Sequence, residues 1–177
     1  MEPFRIRLMH VKDKQAFMEK DGMKRLLGKP IDVAKRWKDE GCVLIHILDA
    51  DAIKGTPANL DIYSNMTYFI NVQVECAPVK AIITKLLTLK CRVVLRPPEG
   101  ASVAAMAEKK LLVAIVRSGE RPSEKDLAPF HDVILTDADD ESVSRCLAFK
   151  KRVIIYEKDE LKLKKTKNKI WGIISTS

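Results

Sequence analysis

The sequence lacks a hydrophobic run long enough to cross a membrane, and it contains few glycines and prolines. Apolar stretches such as residues 43–48 and 111–116 fall far short of the roughly 20 residues that a membrane-spanning helix needs. Seven glycines and eight prolines beside 46% hydrophobic residues favour one ordered globular domain. Charges among the first seven residues argue against a secretory signal, so we expect a cytoplasmic protein without membrane contact.

Cysteine is also scarce, and its placement argues against a metal centre. The four cysteines are Cys42, Cys76, Cys91 and Cys146. No Cys-x-x-Cys or mixed Cys/His spacing joins them, so we expect four buried apolar residues rather than ligands. We expect no cofactor of any kind.

Positive charge is present in excess and is concentrated near the C-terminus. The chain carries a formal net charge of +8, and the nine Lys or Arg against three Asp or Glu from Lys150 onward account for +6 of it. Such a segment is typical of a solvated helix face. It is also compatible with nucleic-acid binding through residues 150–169, because clustered positive charge attracts polyanions.

Short β-type runs alternate with helical patterns along the whole chain. The eight predicted strands are residues 4–9, 42–48, 69–74, 92–95, 111–116, 132–135, 152–156 and 170–175. Consecutive Val and Ile in several of them indicate parallel strands that are covered on both faces.

Helices are predicted between these strands. Apolar residues at helical spacing over 79–87 give the clearest pattern, and Pro30 and Gly41 suit the first turn and the end of another helix. Ser123 and either Asp139 or Asp140 suit helix N-caps. A Lys-rich helix is predicted over residues 157–169.

The alternation predicts an α/β fold of the compact TIM-type (β/α)8 barrel, with one domain over residues 1–177. Such barrels usually have about 250 residues. We therefore expect a minimal barrel that lacks the last outer helix, or one that is incompletely closed. An open seam between the first and last strands would favour a homo-oligomer.

Two segments carry a family resemblance: Gly28-Lys-Pro-Ile-Asp-Val-Ala-Lys-Arg-Trp-Lys-Asp-Glu-Gly41, and Leu44-Ile-His-Ile-Leu-Asp-Ala-Asp51 with its continuation to Leu60. They resemble the second βα region of the histidine-biosynthesis barrel family, which contains the phosphoribosylformimino-aminoimidazole carboxamide ribotide isomerase and the cyclase subunit of imidazole glycerol phosphate synthase. The resemblance is specific over residues 28–95. It divides the chain into a family-like half, 1–98, and a diverged half, 99–177.

The resemblance implies an Amadori isomerisation in which two aspartates act as general base and general acid. At the first of these positions this chain has His10, and at the second it has Val116, which cannot exchange protons. His10 and Asp49 are therefore the candidate catalytic residues of any proton transfer that persists. The alternative for His10 is a strand-end histidine that is hydrogen-bonded to a neighbour.

The family's phosphate-binding glycine turns are also altered. After the third strand stands Glu75-Cys-Ala-Pro-Val79, in which Glu75 repels phosphate and Pro78 has no N–H to donate. After the fourth strand, Arg96 remains as a side chain that could contact phosphate.

The other residues that the resemblance places at the strand ends are polar, and they are Asp51, Asn59, Thr136 and Asp137. They are candidate contacts to substrate, and the alternative is that they cap the turns and helices that follow. Aspartates in this set could also hold Mg²⁺ through their oxygens, although no spacing demands a metal.

Three functional hypotheses follow. The first is a diverged relative that binds a phosphorylated sugar or nucleotide, or a protein partner, with or without some surviving proton-transfer isomerase activity. The second is a nucleic-acid-associated protein that uses its basic C-terminal quarter. The third is a non-catalytic assembly subunit.

Overall fold

The computed structural model describes residues 2–175, which form ten strands and seven α-helices. The strands are β1 Phe4–Lys12, β2 Gln15–Lys20, β3 Met23–Gly28, β4 Leu44–Asp49, β5 Asn71–Glu75, β6 Arg92–Leu95, β7 Leu112–Arg117, β8 Asp132–Thr136, β9 Arg152–Tyr156 and β10 Gly172–Ser175. The helices are α1 Pro30–Asp39, α2 Ala50–Ile53, α3 Leu60–Met66, α4 Lys80–Thr88, α5 Pro97–Val103, α6 Glu124–Leu127 and α7 Asp140–Ala148.

Eight of the strands form a closed parallel barrel, which confirms the predicted fold class. The order runs β10-β9-β8-β7-β6-β5-β4-β1, and β10 also pairs with β1. The alternative of an incompletely closed barrel is therefore wrong, and the open seam that favoured self-association does not exist. β10 ends at the last described residue, so the prediction that the last outer helix is lacking lies outside the described residues. No helix within residues 2–175 is long and apolar enough to cross a membrane.

Short connections between the strands allow a chain of 177 residues to form an eight-stranded barrel. The helix between β7 and β8, α6, has four residues. Between β9 and β10 the chain forms only 3₁₀ turns over Glu157–Lys162 and Lys167–Lys169, so the Lys-rich helix predicted there is wrong. The physical reason is a competing acceptor, the carboxylate of Asp140, which takes the backbone N–H groups of Lys164, Lys165 and Thr166.

An antiparallel hairpin, which the sequence patterns did not predict, extends the barrel beside β1. β2 pairs with the end of β1, and β3 pairs with β2. The hairpin turns through Asp21 and Gly22, which both have positive φ, and Lys20 pairs directly with Met23. Asp-Gly in a two-residue loop is typical of a type I′ turn, whose twist suits a hairpin.

The chain divides into two compact units, residues 6–93 and residues 2–5 with 94–175. Within the second unit Phe4 stacks on Trp171 at 5.4 Å between ring centroids, and the Phe4 N–H donates to the Trp171 carbonyl. Gly100 of α5 lies against the Phe130 ring so closely that a Cβ there would overlap ring carbons. A glycine is therefore needed at this helix position.

Candidate functional site

Asp49 is a fully buried carboxylate that organises the chain after β4. Its Oδ1 accepts hydrogen bonds from the N–H groups of Asp51 and Ala52, at 2.9 Å each, which makes it the N-cap of α2. The same oxygen accepts from Asn59 Nδ2 at 2.8 Å, and Oδ2 accepts from the Tyr63 hydroxyl at 2.6 Å. Burial and the nearby Asp49 carboxylate raise the Tyr63 pKa well above its usual value, so Tyr63 stays a donor. Both carboxylate oxygens of Asp49 are thus occupied by hydrogen bonds that stabilise the fold.

Asp51 and Asn59 bind the turn between β1 and β2. Asp51 Oδ2 accepts from the Asp13 N–H, and Asn59 Oδ1 accepts from the Lys14 N–H, both at 2.9 Å. Asn59 Nδ2 also donates to Asp51 Oδ2 at 2.8 Å. The Asp13 N–H and the Asn59 amide lower the Asp51 pKa because they stabilise its charged form. Asp13 and Lys14 both have positive φ, so these bonds hold a turn with an unusual backbone.

His10 lines a pocket between the barrel and the hairpin, which we call the hairpin pocket. Its volume is about 460 Å³. The lining residues are His10, Val11 and Lys12 of β1, Phe17 and Glu19 of β2, Lys24 of β3, and Leu48, Ala50 and Ile53 of β4 and α2. Its lining is mainly apolar. The polar groups are the His10 imidazole, the Lys12 and Lys24 ammonium groups and the Glu19 carboxylate.

The register of the strands explains how these side chains meet. His10 pairs with Leu48 on one side and with Phe17 on the other, and Glu19 pairs with Lys24 across the hairpin. Directly opposed residues lie on the same face of a sheet, so Glu19 and Lys24 of the hairpin lie on the same face as His10. Burial lowers the His10 pKa; the carboxylate of Glu19 acts against this shift and the ammonium of Lys24 adds to it.

A second polar cluster lies within the strands of the first unit. His46 is buried, as expected of a barrel-wall residue, and its Nδ1 accepts from Gln73 Nε2 at 2.9 Å. The Gln73 carbonyl oxygen accepts from Arg92 at 3.0 Å. Burial, and secondarily the positive charge of Arg92, lower the His46 pKa to about 3, so this imidazole is neutral at physiological pH.

The predicted site residues of the second unit are exposed or engaged in local contacts. The Arg96 guanidinium pairs with Glu120 at 3.2 Å, and the backbone N–H of Arg96 donates to the Glu99 carboxylate at the start of α5. Thr136 ends β8, and its carbonyl accepts from the Ser118 N–H. Asp137 follows with a φ of 55° and lies 3.7 Å from the Lys158 ammonium.

The expected helix caps are confirmed in this unit. Ser123 and Asp126 form a capping box at α6, and Asp139 caps α7 by accepting from the Ser142 N–H. Asp140 instead accepts four hydrogen bonds, from the Thr166 hydroxyl and from the backbone N–H groups of Thr166, Lys164 and Lys165. The Thr166 hydroxyl first, and then the N–H groups, lower the Asp140 pKa to about 2.

The basic segment is partly neutralised by contacts within its own unit. Lys162 pairs with Asp159 at 2.7 Å, Lys167 with Glu160 at 3.2 Å, and the buried Lys151 ammonium donates to the Phe130 carbonyl. Lys164 and Lys165 remain exposed.

The four cysteines are buried, as predicted. Burial raises the pKa of the Cys91 thiol to about 12 and that of Cys146 to about 11, so neither is a nucleophile at neutral pH. Within residues 2–175 no group of three or more His, Cys, Asp or Glu side chains is arranged to hold a metal ion.

The structure thus joins Asp49, Asp51 and Asn59 in one network and places His10 in an adjacent pocket. Sequence reasoning missed Tyr63 and the hairpin residues of the pocket. The Asp21-Gly22 pair between two strand-like runs was the available signal for the hairpin. Nothing in the sequence singled out Tyr63.

Comparison with known proteins found similarity to one kind of enzyme, and no family model matches the chain. A segment of 49 residues is 45% identical to the 1-(5-phosphoribosyl)-5-((5-phosphoribosylamino)methylideneamino) imidazole-4-carboxamide isomerase of Methanocaldococcus jannaschii, covering 28% of this chain and 21% of that protein. A segment of 91 residues is 31% identical to the isomerase of the same name from Nitrosopumilus maritimus, covering 50% of this chain and 36% of that protein. The chain thus aligns with about a fifth to a third of the length of these relatives.

Proposed function

Since this chain is a diverged relative of the phosphoribosyl isomerases of histidine biosynthesis, we propose that it binds a phosphorylated sugar or nucleotide in the hairpin pocket without isomerising it as those enzymes do. The observation that carries the proposal is the placement of His10, Lys12 and Lys24 around one apolar cavity at the carboxyl ends of β1 and β4. Ligand sites of (β/α) barrels lie at this end of the strands.

The composition of the pocket suits an anionic ligand with an apolar face. Two ammonium groups can bind a phosphate as point charges, and an imidazole can donate a further hydrogen bond. Phe17, Leu48 and Ile53 offer apolar surface to the rest of the ligand. A cavity of about 460 Å³ lies within the usual range for small-molecule sites.

The absence of isomerase turnover rests on the chain's own side chains. The position at which the resemblance implies a second catalytic aspartate carries Val116, which is 1% exposed within β7. Asp49, the remaining carboxylate candidate, has both oxygens hydrogen-bonded to groups of the fold. A general acid or base needs a lone pair or proton that can reach the substrate.

Calorimetric titration with ribose 5-phosphate tests the binding. We expect Lys12→Ala and His10→Ala each to raise the Kd roughly tenfold, because each removes a hydrogen bond to a charged group. Lys85→Ala is the matched control, since Lys85 is exposed on α4 outside the pocket. Equal affinity in all four proteins would contradict the proposed site.

A turnover assay with the substrate of the isomerase relatives tests the second half of the proposal. We expect no product above a blank reaction. Turnover that disappears in His10→Ala would overturn the non-catalytic assignment and make His10 a catalytic residue.

Nucleic-acid binding, an assembly role, a homo-oligomeric state and a cytoplasmic location stay predictions. The ion pairs of Lys158, Lys162 and Lys167 leave fewer free charges for a polyanion. Salt-dependent gel shifts that vanish in a Lys164→Glu/Lys165→Glu variant would favour the nucleic-acid function instead.

A further inference from the structure

The outer strand of the hairpin, β3, is the terminal strand of the sheet and, within the described part of the chain, pairs only with β2. Its first four residues are exposed, with Met23 at 73% and Leu26 at 58% relative exposure. A terminal strand carries backbone N–H and C=O groups on its outer side that can pair with another extended chain. Such a strand can therefore act as a docking edge.

The exposed side chains along this edge are either apolar or positively charged. Met23, Lys24, Arg25 and Leu26 place two adjacent cations between two exposed apolar residues, and β3 contains no acidic residue. Among the residues that the structure describes, neither Lys24 nor Arg25 forms an ion pair, although Glu19 stands opposite Lys24. Arg25 stands opposite Met18, so no acidic residue of the hairpin faces its positive charge, whereas Lys24 has Glu19 across the strand pair.

We propose that β3 is a docking edge for an extended segment of a partner protein with the pattern apolar-acidic-acidic-apolar, which adds to the sheet as a further strand. In this mode of recognition the backbone supplies affinity and alternate side chains supply specificity. The two acidic residues face Lys24 and Arg25, and the flanking apolar residues cover Met23 and Leu26. The pattern reads the same in both directions, so it fits parallel and antiparallel pairing alike.

Charge argues against a second copy of this chain as the occupant. Antiparallel pairing of two copies over Met23–Leu26 sets Lys24 against Arg25, and parallel pairing sets Lys24 against Lys24. Like charges directly opposite each other destabilise a strand pair. An acidic partner removes this repulsion and gains attraction.

The probe is a synthetic peptide, Thr-Val-Glu-Asp-Leu-Thr with blocked ends, titrated into the isotope-labelled full chain and followed by amide NMR shifts. We expect shifts confined to residues 15–28 and an affinity that falls as salt rises. Arg25→Glu should raise the Kd at least tenfold, and Arg25→Ala should raise it less. The matched control, Lys165→Glu, makes the same charge change on the exposed C-terminal segment and should leave the Kd unchanged.

Two further measurements test the backbone pairing and the identity of the occupant. A peptide N-methylated at alternate residues on its pairing edge should lose binding, while methylation of the other edge should not. Shifts that map to residues 150–169, an unchanged Kd in Arg25→Glu, or self-association of the chain through β3 would each overturn the proposal. Lys24 lines the hairpin pocket and Arg25 does not, so the Arg25 variants test the docking edge without changing the pocket lining, and their failure leaves the ligand proposal untouched.

Discussion

The same tripeptide, Asp-Ala-Asp, begins at the last residue of β4 in one unit and directly after β8 in the other, and its two copies adopt different structures. After β4, Asp49 is fully buried and is itself the N-cap of α2. After β8, the corresponding Asp137 is exposed with positive φ, and the second aspartate, Asp139, is the N-cap of α7. The N-cap is thus the first aspartate of the motif after β4 and the second aspartate of the motif after β8. The reason is that β4 includes its first aspartate, whereas β8 ends at Thr136, one residue before Asp137.

This difference shows that a short acidic motif does not by itself determine the structural role of its aspartates. Asp49 is buried because Tyr63 and Asn59, both from the α3 region, supply donors to its carboxylate. Asp137 has exposed cations as neighbours, and such ion pairs contribute little to stability. The first unit therefore uses its acidic motif both to begin α2 and to hold the turn beside a pocket through Asp51, whereas the second uses it to begin α7.

The largest expected effect is that of Asp49→Ala against Asp137→Ala. Removing the Asp49 carboxylate leaves several buried donors without an acceptor, so we expect the free energy of unfolding to fall by about 3–5 kcal/mol. Asp137→Ala should change it by less than about 0.5 kcal/mol. Urea unfolding of both variants measures the difference, and equal losses would refute the contrast between the two motifs.

Tyr63→Phe isolates one bond of the network. Loss of the hydroxyl leaves Asp49 Oδ2 buried without that donor, and we expect a cost of about 1–3 kcal/mol in the same unfolding measurement. Tyr68→Phe is the control, because the Tyr68 side chain is 88% exposed. A Tyr63→Phe protein as stable as the control would mean that Oδ2 gains no stabilisation from this bond.

Gly100→Ala tests close packing in the second unit. The added methyl group overlaps the Phe130 ring, and overpacking of this kind costs about 1–3 kcal/mol. Gly119→Ala should be neutral or slightly stabilising, since no heavy atom beyond its chain neighbours lies within 4 Å of the position that an added Cβ would take. Thermal unfolding compares the two, and Gly100→Ala/Phe130→Leu should recover part of the loss.

The smallest expected effect is a pH dependence at Asp140. Its pKa is lowered from 3.8 to about 2 by the Thr166 hydroxyl first and by the backbone N–H groups of residues 164–166 next, so the folded state favours the carboxylate. The stabilisation is fully present above pH 3.8 and is lost as the pH falls through about 2. We expect Asp140→Asn to lower the Tm at pH 7 and the gap from the unmodified protein to close near pH 2. A gap that is constant across this range would exclude the ionised carboxylate as the cause.

Much of the barrel could be predicted because its signals are local. Short β-type runs marked the eight barrel strands, several of them by consecutive Val and Ile, and the spacing of apolar residues marked α4. The helix predicted over residues 157–169 was wrong because the Asp140 carboxylate, distant in sequence, takes the backbone donors that a helix would use. The candidate residues His10 and Asp49 were identified, as was Asn59, but Tyr63 and the hairpin residues beside His10 were not.

Periodicity and capping motifs were enough to specify the order of the eight barrel strands and several of the helices between them, since each depends on neighbours within one or two turns of chain. Closure of the barrel, the burial of Asp49 under Tyr63, and the hairpin pocket beside His10 depend on contacts between residues far apart in sequence. Such contacts form only when strands pair in register, and a shift of one residue would turn every side chain to the other face.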